Sequence, residues 1–404
     1  MAKKATRKKW MRFRHRVVRN IAYAILYPYS RLVYGIKITK YNNKGRRFLI
    51  LMNHQTAFDQ FFVGMAFRGP VYYIASEDLF SKGWISKLIT WLVAPIPIKK
   101  QTTDVSAVMN CMRVAKEGGT IALAPEGNRT YSGHTEYIKP AVVKLIRALK
   151  LPVALFRIEG GYGVHPRWSD VVRKGKMRAY VSRVMEPEEY RDLTDSELLE
   201  TICRELYVHE GNGDNEFHHD KRAEYLERAM YVCPTCGLSE FESHGNHISC
   251  KKCGVTLEFA PSTELKAVEG EFPFRFVADW YDYQCDFINK LDTDLYLEEP
   301  YYRERADFSE VILYKNKREI FEDAELELYG DRLLVRKGDQ EYRLDFDNAS
   351  VFTVVGRNKL NIYYQDKVYQ LKSNERFNSL KYMNLFYRYK NTHSEVEHGQ
   401  FLGL

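Results

Sequence analysis

The chain has 404 residues, of which 45% are hydrophobic and 14% aromatic, and a formal net charge of +8 at pH 7. This composition excludes a disordered chain, and the length is enough for two or three domains that each bury a core. The charge is unevenly placed, because 15 Lys or Arg precede the first acidic residue, Asp59, and the remainder carries −7. Seven cysteines, four of them in two Cys-x2-Cys pairs, suit a reducing cytosol better than a disulfide framework.

Residues 1–44 are predicted to form a basic amphipathic segment at a membrane interface. Nine Lys or Arg lie before an apolar, aromatic stretch at 21–34, which Pro28 and Arg31 interrupt. That stretch is shorter than the roughly 20 apolar residues that a spanning helix needs, and it is a poor signal peptide. A basic, aromatic helix instead suits the surface of an anionic bilayer, at its cytoplasmic face. A basic arm for RNA or DNA is the alternative reading of this segment.

Residues 45–205 alternate short apolar runs with helical periodicity, which predicts an α/β domain. The expected strands are 48–52, 71–75, 94–98, 120–124 and 153–158, and helices are expected after Asp104 and from Pro140 to Lys150. A polar linker follows at 206–230, with solvated histidines at 209, 218 and 219 and a helix over 221–230.

Residues 261–404 have the pattern of a β-rich domain. Seven alternating segments with turn signals between them lie at 311–314, 324–329, 332–336, 341–346, 351–355, 359–364 and 367–372, before an amphipathic helix at 376–389. Seven strands and a closing helix resemble the layout of a pleckstrin-homology-like or GRAM-like barrel. The barrel is a candidate for membrane docking, for binding a regulator, or for packing on the catalytic domain.

His54 and Asp59 form the first candidate catalytic pair. His54 follows an apolar strand, so it emerges at the strand's carboxyl end, where α/β folds place ligands. Five residues apart, the two side chains do not meet on one continuous helix. They meet if His54 lies in the strand-to-helix turn and Asp59 begins the helix. The carboxylate then bonds one imidazole nitrogen and the other accepts a proton, as a general base requires.

A second group, Glu126, Gly127 and Arg129, follows the strand expected at 120–124, also at a carboxyl end. Gly127 permits a tight turn, exposed amides with Arg129 suit a phosphate, and Glu126 is expected to hold an acceptor hydroxyl or to orient Arg129. A plain loop with an ion pair is the alternative for this motif taken alone.

With these two motifs 72 residues apart, the chain resembles the glycerophospholipid acyltransferase family that includes lysophosphatidic acid acyltransferases. The run from Asn53 to Asp59 matches the family's first motif. Residues 124–130 match its Phe-Pro-Glu-Gly-Thr-Arg-Ser motif, with Ala, Asn and Thr for Phe, Thr and Ser. Residues 95–100 and 151–156 correspond more weakly to the two other motifs, and Lys99 and Lys100 replace an arginine there.

The resemblance implies transfer of a fatty acyl group from acyl-CoA or acyl carrier protein to a lysophospholipid hydroxyl, with His54 as general base and Asp59 beside it. It further implies that Lys99, Lys100 and Arg129 receive the acceptor's phosphate. No covalent acyl-enzyme is required, and Cys111 is expected to pack in the core. The alternatives are a lipid-binding or scaffold protein without turnover, and a nucleic-acid-binding protein.

Residues 231–260 are predicted to be a zinc ribbon. Cys233-x2-Cys236 and Cys250-x2-Cys253, separated by 13 residues, supply four thiolates in two knuckles, and Gly237 and Gly254 follow them. Four protein ligands leave no open position, so the expected zinc is structural. His244 and His247 are surplus to a complete set of ligands, and the acidic residues between the knuckles argue against nucleic acid.

Overall fold

The structure, a computed structural model, describes residues 9–80, 83–98, 105–210, 215–312 and 317–393. The chain divides into two units, and it passes between them more than once. The first unit is Met1–Asn128, Ile138–Glu159 and Met177–Val208. The second unit is Arg129–Tyr137, Gly160–Lys176 and His209–Leu404.

The described residues up to 210 form helices that alternate with short strands. In chain order the elements are α1 Phe13–Val33, β1 Ile36–Ile38, β2 Leu49–Met52, α2 Asp59–Ala66, β3 Val71–Ser76, a 3₁₀ turn Glu77–Phe80, α3 Trp84–Val93, β4 Ile96–Ile98, α4 Val105–Lys116, β5 Thr120–Leu123, α5 Ala141–Leu149, β6 Val153–Glu159, α6 Gly161–Val164, β7 Met177–Met185, α7 Pro187–Arg191 and α8 Asp195–Leu206. Of these, α6 belongs to the second unit.

The first unit is built on a seven-stranded sheet in the order β1-β7-β6-β2-β5-β3-β4. The strands from β6 to β4 run parallel, β7 is antiparallel to β6, and β1 is parallel to β7. Residues 49–51 of β2 are fully buried, as a central parallel strand covered on both faces requires. Side chains of α4, α5 and α8, among them Cys111, Ile146 and Ile202, share one hydrophobic cluster with Leu49 and Leu51 of β2. The mixed α/β fold predicted for this part of the chain is confirmed, and Cys111 is in its core.

Two strands at one end of this sheet, β1 and β7, were not predicted. Residues 36–38 pair with 177–179, so the sheet begins before residue 45, the predicted start of the domain. The segment 1–44 is therefore not wholly separate from the sheet. None of the helices in the described parts of the chain has a stretch long and apolar enough to cross a bilayer.

Most of the regular elements in the described residues after 214 are strands. In chain order the elements are a 3₁₀ turn Leu226–Arg228, β8 Val232–Cys233, β9 Gly237–Leu238, β10 Phe241–His244, β11 His247–Cys250, β12 Thr256–Phe259, β13 Leu265–Ala267, α9 Val277–Lys290, a 3₁₀ turn Asp294–Tyr296, β14 Tyr302–Glu310, β15 Arg318–Leu328, β16 Arg332–Lys337, β17 Gln340–Asp345, a 3₁₀ turn Phe346–Asn348, β18 Ala349–Val355, β19 Lys359–Tyr364, β20 Lys367–Lys372 and α10 Ser379–His393.

The segment predicted as a polar linker with a helix over 221–230 folds differently. Its described residues, 206–210 and 215–230, form turns, isolated bridges and the 3₁₀ turn Leu226–Arg228 after the end of α8, and Phe217, Ala223 and Arg228 are buried. Arg228 is held by Asp170 and by main-chain carbonyls, and these tertiary contacts override the local helical preference. His209 is half-buried and its ring lies edge-on to that of His134, whereas His218 is exposed as expected.

The strands β10 to β13 make a four-stranded antiparallel sheet next to the small hairpin of β8 and β9. Because β13 pairs with β12, this sheet extends to residue 267, past the predicted end of the ribbon at 260. Val232 at the hairpin is tied to α9, since Trp280 donates Nε1–H to its carbonyl at 2.8 Å and Gln284 accepts from its amide.

The strands β14 to β20 form one antiparallel sheet in the order β17-β16-β15-β14-β20-β19-β18, here called the C-terminal sheet. Helix α10 packs against it, and the rings of Phe352 and Phe386 stack with centroids 4.2 Å apart. The first strand of the set was misplaced, because β14 ends at Glu310 and residues 311–312 are not in a strand, while 313–316 lie outside the described residues. The likeness to a pleckstrin-homology barrel stays a prediction.

Candidate functional site

The predicted catalytic motif and the predicted substrate-binding motif begin side by side at the carboxyl edge of the seven-stranded sheet of the first unit. His54 lies two residues after the end of β2, and Glu126 lies three residues after the end of β5. Because β2 and β5 are neighbouring parallel strands, the loops that leave them begin side by side. Sheet order therefore brings together residues that are 72 positions apart in the sequence.

His54 and Asp59 form the hydrogen bond that their spacing predicts. His54 lies in the turn after β2 and Asp59 is the first residue of α2. The imidazole Nδ1 is 2.8 Å from Asp59 Oδ2, and the His54 side chain is 23% exposed whereas that of Asp59 is 0% exposed. Since an ionised carboxylate can only accept a hydrogen bond, Nδ1 carries the hydrogen in the neutral ring and Nε2 is the basic nitrogen.

Asp59 is held by donors from the turn that precedes it. Its carboxylate accepts the amide N–H groups of Gln55 at 2.6 Å and Thr56 at 2.9 Å, and the Thr56 hydroxyl at 2.7 Å. These bonds satisfy a fully buried charge and fix the angle at which the carboxylate meets His54. Thr56 was given no role from sequence, although a hydroxyl three residues before a buried helix-starting aspartate is a recognisable signal.

Glu126 supports His54 from the neighbouring loop. Its Oε1 accepts the main-chain N–H of His54 at 2.7 Å, and Glu126 is 2% exposed. The sequence predicted that Glu126 holds an acceptor hydroxyl or orients Arg129; the bond to the His54 backbone was not foreseen. The carboxylate thereby fixes where the histidine leaves the sheet.

Asn53 fastens the same turn on its other side. Its side-chain amide donates to Ile158 O at 2.8 Å and accepts from Ile158 N at 2.7 Å, so it extends the ladder between β2 and β6 by one more pair of bonds. The asparagine is fully buried. His54 is thus held by both strands that flank β2.

The predicted phosphate-binding residues are placed in part. Gly127 has φ +74°, which an L side chain would strain, and it makes the tight turn that was expected after β5. Arg129 is half-buried in the second unit, where Nη2 donates to Gly356 O at 3.3 Å. Lys99 and Lys100 lie outside the described residues.

The arrangement around His54 fits general-base chemistry on a hydroxyl. A partly exposed imidazole, oriented by a buried carboxylate, can take a proton from an alcohol and be stabilised as imidazolium while it holds that proton. The backbone contacts of Asn53 and Glu126 add rigidity, which a base needs to meet its substrate at a fixed distance.

The four predicted metal ligands also come together. The Sγ atoms of Cys233, Cys236, Cys250 and Cys253 all lie within 4.8 Å of one another, and those of Cys233 and Cys253 are 3.7 Å apart. Thiolates about 2.3 Å from a tetrahedral zinc would have sulfur atoms about 3.8 Å apart. The cluster could therefore hold a metal ion.

Main-chain donors face these sulfurs, as they do in zinc knuckles. Cys233 accepts the amide N–H groups of Thr235 and Cys236, and Cys253 accepts that of Val255. The turns after each pair are made by Gly237 at φ +69° and Gly254 at φ +76°. His244 is paired with Glu242 at 3.0 Å, and His247 is exposed, so neither joins the cluster.

Comparisons with known proteins bear on the first unit. A family model described as Acyltransferase matches residues 35–158, a range that contains His54, Asp59 and Glu126. The chain is 21% identical over 175 residues to the 1-acyl-sn-glycerol-3-phosphate acyltransferase of Bacillus subtilis (strain 168), which covers 43% of this chain and 84% of the relative. The crystal structure of the 1-acyl-sn-glycerophosphate (LPA) acyltransferase, PlsC, from Thermotoga maritima aligns with a TM-score of 0.38 and 18% identity, over 48% of this chain and 75% of that one.

Proposed function

From its membership of the acyltransferase family, which residues 35–158 carry, we propose that this O-acyltransferase moves a fatty acyl group from a thioester to a lysophospholipid hydroxyl. Acyl-CoA or acyl carrier protein is the donor, and lysophosphatidic acid is the acceptor class. The observation that carries the assignment is the hydrogen bond between His54 Nδ1 and the buried Asp59.

The reaction needs two proton transfers, one from the acceptor hydroxyl to His54 and one from His54 to the departing thiolate. His54 Nε2 removes the hydrogen of the acceptor hydroxyl while that oxygen attacks the carbonyl carbon of the thioester. The carbon–sulfur bond then breaks, and the imidazolium returns the proton to the departing thiolate. Asp59 stabilises the imidazolium between these two events, and no acyl-enzyme intermediate is formed. Cys111, which is fully buried and has its pKa raised to about 12 by burial, takes no part.

Cationic side chains and exposed main-chain amides bind the phosphate of the acceptor lipid in this proposal. Arg129 offers a planar fork of hydrogen-bond donors for the phosphate, and the turn at Gly127 lets main-chain N–H groups approach the same phosphate. Lys99 and Lys100, which lie outside the described residues, are proposed from sequence alone to add positive charge without a fixed fork.

Purified full-length protein should transfer acyl groups from acyl-CoA or acyl carrier protein to lysophosphatidic acid or to another member of a lysophospholipid panel. His54→Ala should remove transfer while leaving lipid binding and the unfolding temperature unchanged, and His247→Ala is the matched control at an exposed histidine. Turnover that survives His54→Ala would refute the assignment of the base. Lipid binding without turnover in the wild-type protein would favour the alternative of a lipid-binding or scaffold protein.

We further propose that the first unit works on a membrane surface, through exposed apolar side chains of α1 and α3. On α1 these recur every fourth residue, and Phe13 is 80% exposed and Ile25 64% exposed. On α3, Trp84 is 71% exposed and Trp91 55% exposed. Together with Val17, Ile21, Ile85 and Leu88 they are here called the apolar surface.

Helices α1 and α3 contact each other through a basic residue of α1, and basic residues beside apolar ones are what a membrane-interface surface requires. Arg14 donates Nε–H to Trp91 O at 2.7 Å, and its guanidinium lies 4.8 Å from the Trp91 ring centroid. Arg12, which caps α1, and Arg16 within it are exposed. The apolar side chains gain free energy by burial in lipid. Each basic residue near the surface adds about 1 kcal/mol of attraction to anionic headgroups, and this attraction favours the cytoplasmic leaflet.

We also propose that the cysteine cluster holds one structural zinc ion. Four thiolates that face one point, amides directed at the sulfurs, and glycine turns support this donor set for zinc. Bound zinc would cross-link β8–β9 to β11–β12 and so add to the folding free energy of the second unit. The ion has no part in acyl transfer.

A further inference from the structure

The turn that joins β18 to β19 holds two arginines of the second unit. The carbonyl of Gly356 accepts a hydrogen bond from Arg129 Nη2 at 3.3 Å and another from Arg167 Nε at 3.4 Å. Gly356 has φ +66°, and this left-handed conformation is what aims its carbonyl at both side chains. A turn of the C-terminal sheet therefore contacts an arginine from the second of the two acyltransferase motifs.

Arg167 fills the space between this turn and Arg129. It donates Nη2–H to Val354 O at 3.0 Å and Nη1–H to Arg129 O at 3.2 Å, and its guanidinium lies 4.4 Å from the centroid of the Tyr131 ring. Arg167 is 4% exposed. With its donors directed at three carbonyls and its plane over an aromatic ring, it is fixed in one rotamer.

A second pair of contacts fixes the same turn to the segment that carries Arg167. Arg357 donates Nη2–H to His165 Nε2 at 2.8 Å, and its Nε lies 3.2 Å from Asp170 Oδ1. Asp170 also accepts from the buried Arg228 at 2.8 Å. The turn, the segment 160–176 and Arg129 thus form one hydrogen-bonded group within the second unit.

Carbonyl acceptors orient a guanidinium without neutralising its charge. An arginine held in this way keeps its attraction for an anion and loses less conformational entropy when the anion binds, because part of its rotamer freedom is already gone.

The geometry points to Arg167 as a positioning residue for the acceptor's phosphate, which acts through Arg129 and uses the β18–β19 turn as its support. The inference rests on the proposed function for the role of Arg129. It gives the C-terminal sheet a part in acceptor selection, because removing the turn would release the motif arginine.

The test compares steady-state kinetics of full-length Arg167→Gln, Arg167→Lys and wild type, with Arg343→Gln as a control for losing one positive charge on the C-terminal sheet. Arg167→Gln should raise KM for lysophosphatidic acid about tenfold, with kcat and KM for the thioester nearly unchanged. The acceptor KM of Arg167→Lys should lie between those of wild type and Arg167→Gln, since the lysine ammonium can donate to one of the carbonyls but cannot reach all three. Arg343→Gln should match wild type.

A double-mutant cycle separates positioning from a merely structural role. If Arg167 acts through Arg129, adding Arg167→Gln to Arg129→Gln should change the acceptor KM by less than about twofold. Losses that multiply in the double variant, or equal rises in both KM values, would overturn the inference.

The same variants are also tested for binding of radiolabelled lysophosphatidic acid without a donor. A wild type that binds this lipid but transfers nothing would reject the proposed function, and weaker binding by Arg167→Gln would still support the inference. Normal transfer and binding by Arg167→Gln would reject the inference and leave the proposed function in place.

Discussion

The carboxylate of Glu126 accepts the main-chain N–H of His54, with 2.7 Å between Oε1 and N. The loop after β5 thus fixes the backbone of the loop after β2, and these loops leave the ends of neighbouring parallel strands. Because Glu126 fixes the position of the base, a substitution of Glu126 should change kcat more than KM.

Glu126→Gln should keep kcat within about tenfold, because the side-chain amide oxygen can still accept the His54 N–H. Glu126→Leu should lower kcat about a hundredfold and reduce the unfolding free energy, since an unsatisfied buried N–H costs about 1–3 kcal/mol. Kinetics with lysophosphatidic acid and urea unfolding measure both effects. Equal losses in the two variants would show that the charge of Glu126, and not the hydrogen bond, is what matters.

Asp59→Asn should lower kcat by about 10³-fold while KM for both substrates changes little, because an amide stabilises the imidazolium less and can hold the wrong tautomer. Thr56→Val removes one donor to the carboxylate and should cost less than about tenfold in kcat. Circular dichroism and thermal unfolding check that each variant is folded. Full activity in Asp59→Asn would contradict the pairing with His54.

Purified protein should contain about one zinc ion per chain by mass spectrometry of metals. Cys250→Ser should lose the ion and lower the unfolding temperature of the second unit, whereas Cys203→Ser, outside the cluster, should keep it. A chelator should have the same effect as Cys250→Ser, because metal binding adds to the folding free energy. Protein that is free of metal and equally stable would reject the zinc assignment.

Replacing Trp84 and Trp91 by Ala should weaken binding to anionic vesicles by about tenfold for each, since each substitution removes roughly 50 Å² or more of apolar burial at about 25 cal/mol per Å². Leu295→Ala is the control, because Leu295 is 74% exposed but lies in the second unit. Co-sedimentation with vesicles gives the partition coefficients. Binding should also fall as salt rises, through screening of the α1 arginines. If the tryptophan variants bind as wild type does, the apolar surface is not the contact.

His165 should make the protein less stable in mild acid. Burial and the guanidiniums of Arg357 and Arg129 lower the pKa of His165 from 6.5 to about 4. The unfolded chain then binds more protons than the folded one between these values, so the unfolding free energy falls as pH drops through 6.5 toward 4. At pH 5 the cost is about 2 kcal/mol relative to pH 7.

The matched measurement is urea unfolding of wild type, His165→Gln and His218→Gln at pH 7 and pH 5. His165→Gln keeps a neutral acceptor for Arg357 and should flatten the pH dependence, whereas His218→Gln, at an exposed position, should not. An unchanged slope in His165→Gln would assign the acid loss to other groups.

The parts of the fold that could be predicted are those fixed by local patterns. The strand–turn–helix around His54 and Asp59 follows from an apolar run, a five-residue spacing and an aspartate at a helix start. Five of the seven C-terminal strands were placed within one or two residues by alternation and turn residues, and β15 starts well before its predicted start at 324. The cysteine cluster was equally visible, because both pairs are local in sequence.

What could not be predicted depends on contacts between distant residues. The three residues of β1, Ile-Lys-Ile, are too few for their alternation to predict a strand, and they become one by pairing with 177–179. The predicted helix at 221–230 fails because Arg228 is drawn to Asp170, 58 residues away. The role of Glu126 toward the His54 backbone likewise follows from strand order, which sequence spacing does not reveal.

The passage of the chain into the second unit at Arg129–Tyr137 and again at Gly160–Lys176 has a consequence for how this enzyme can evolve. Tyr131, Tyr162 and Trp168 lie in those excursions, and all three are buried in the aromatic core of the second unit. A gene fragment that ended at residue 208 would still encode both acyltransferase motifs, but it would leave these rings without the core that covers them. Separating the two units between genes would therefore expose these rings to water and lower the stability of the product.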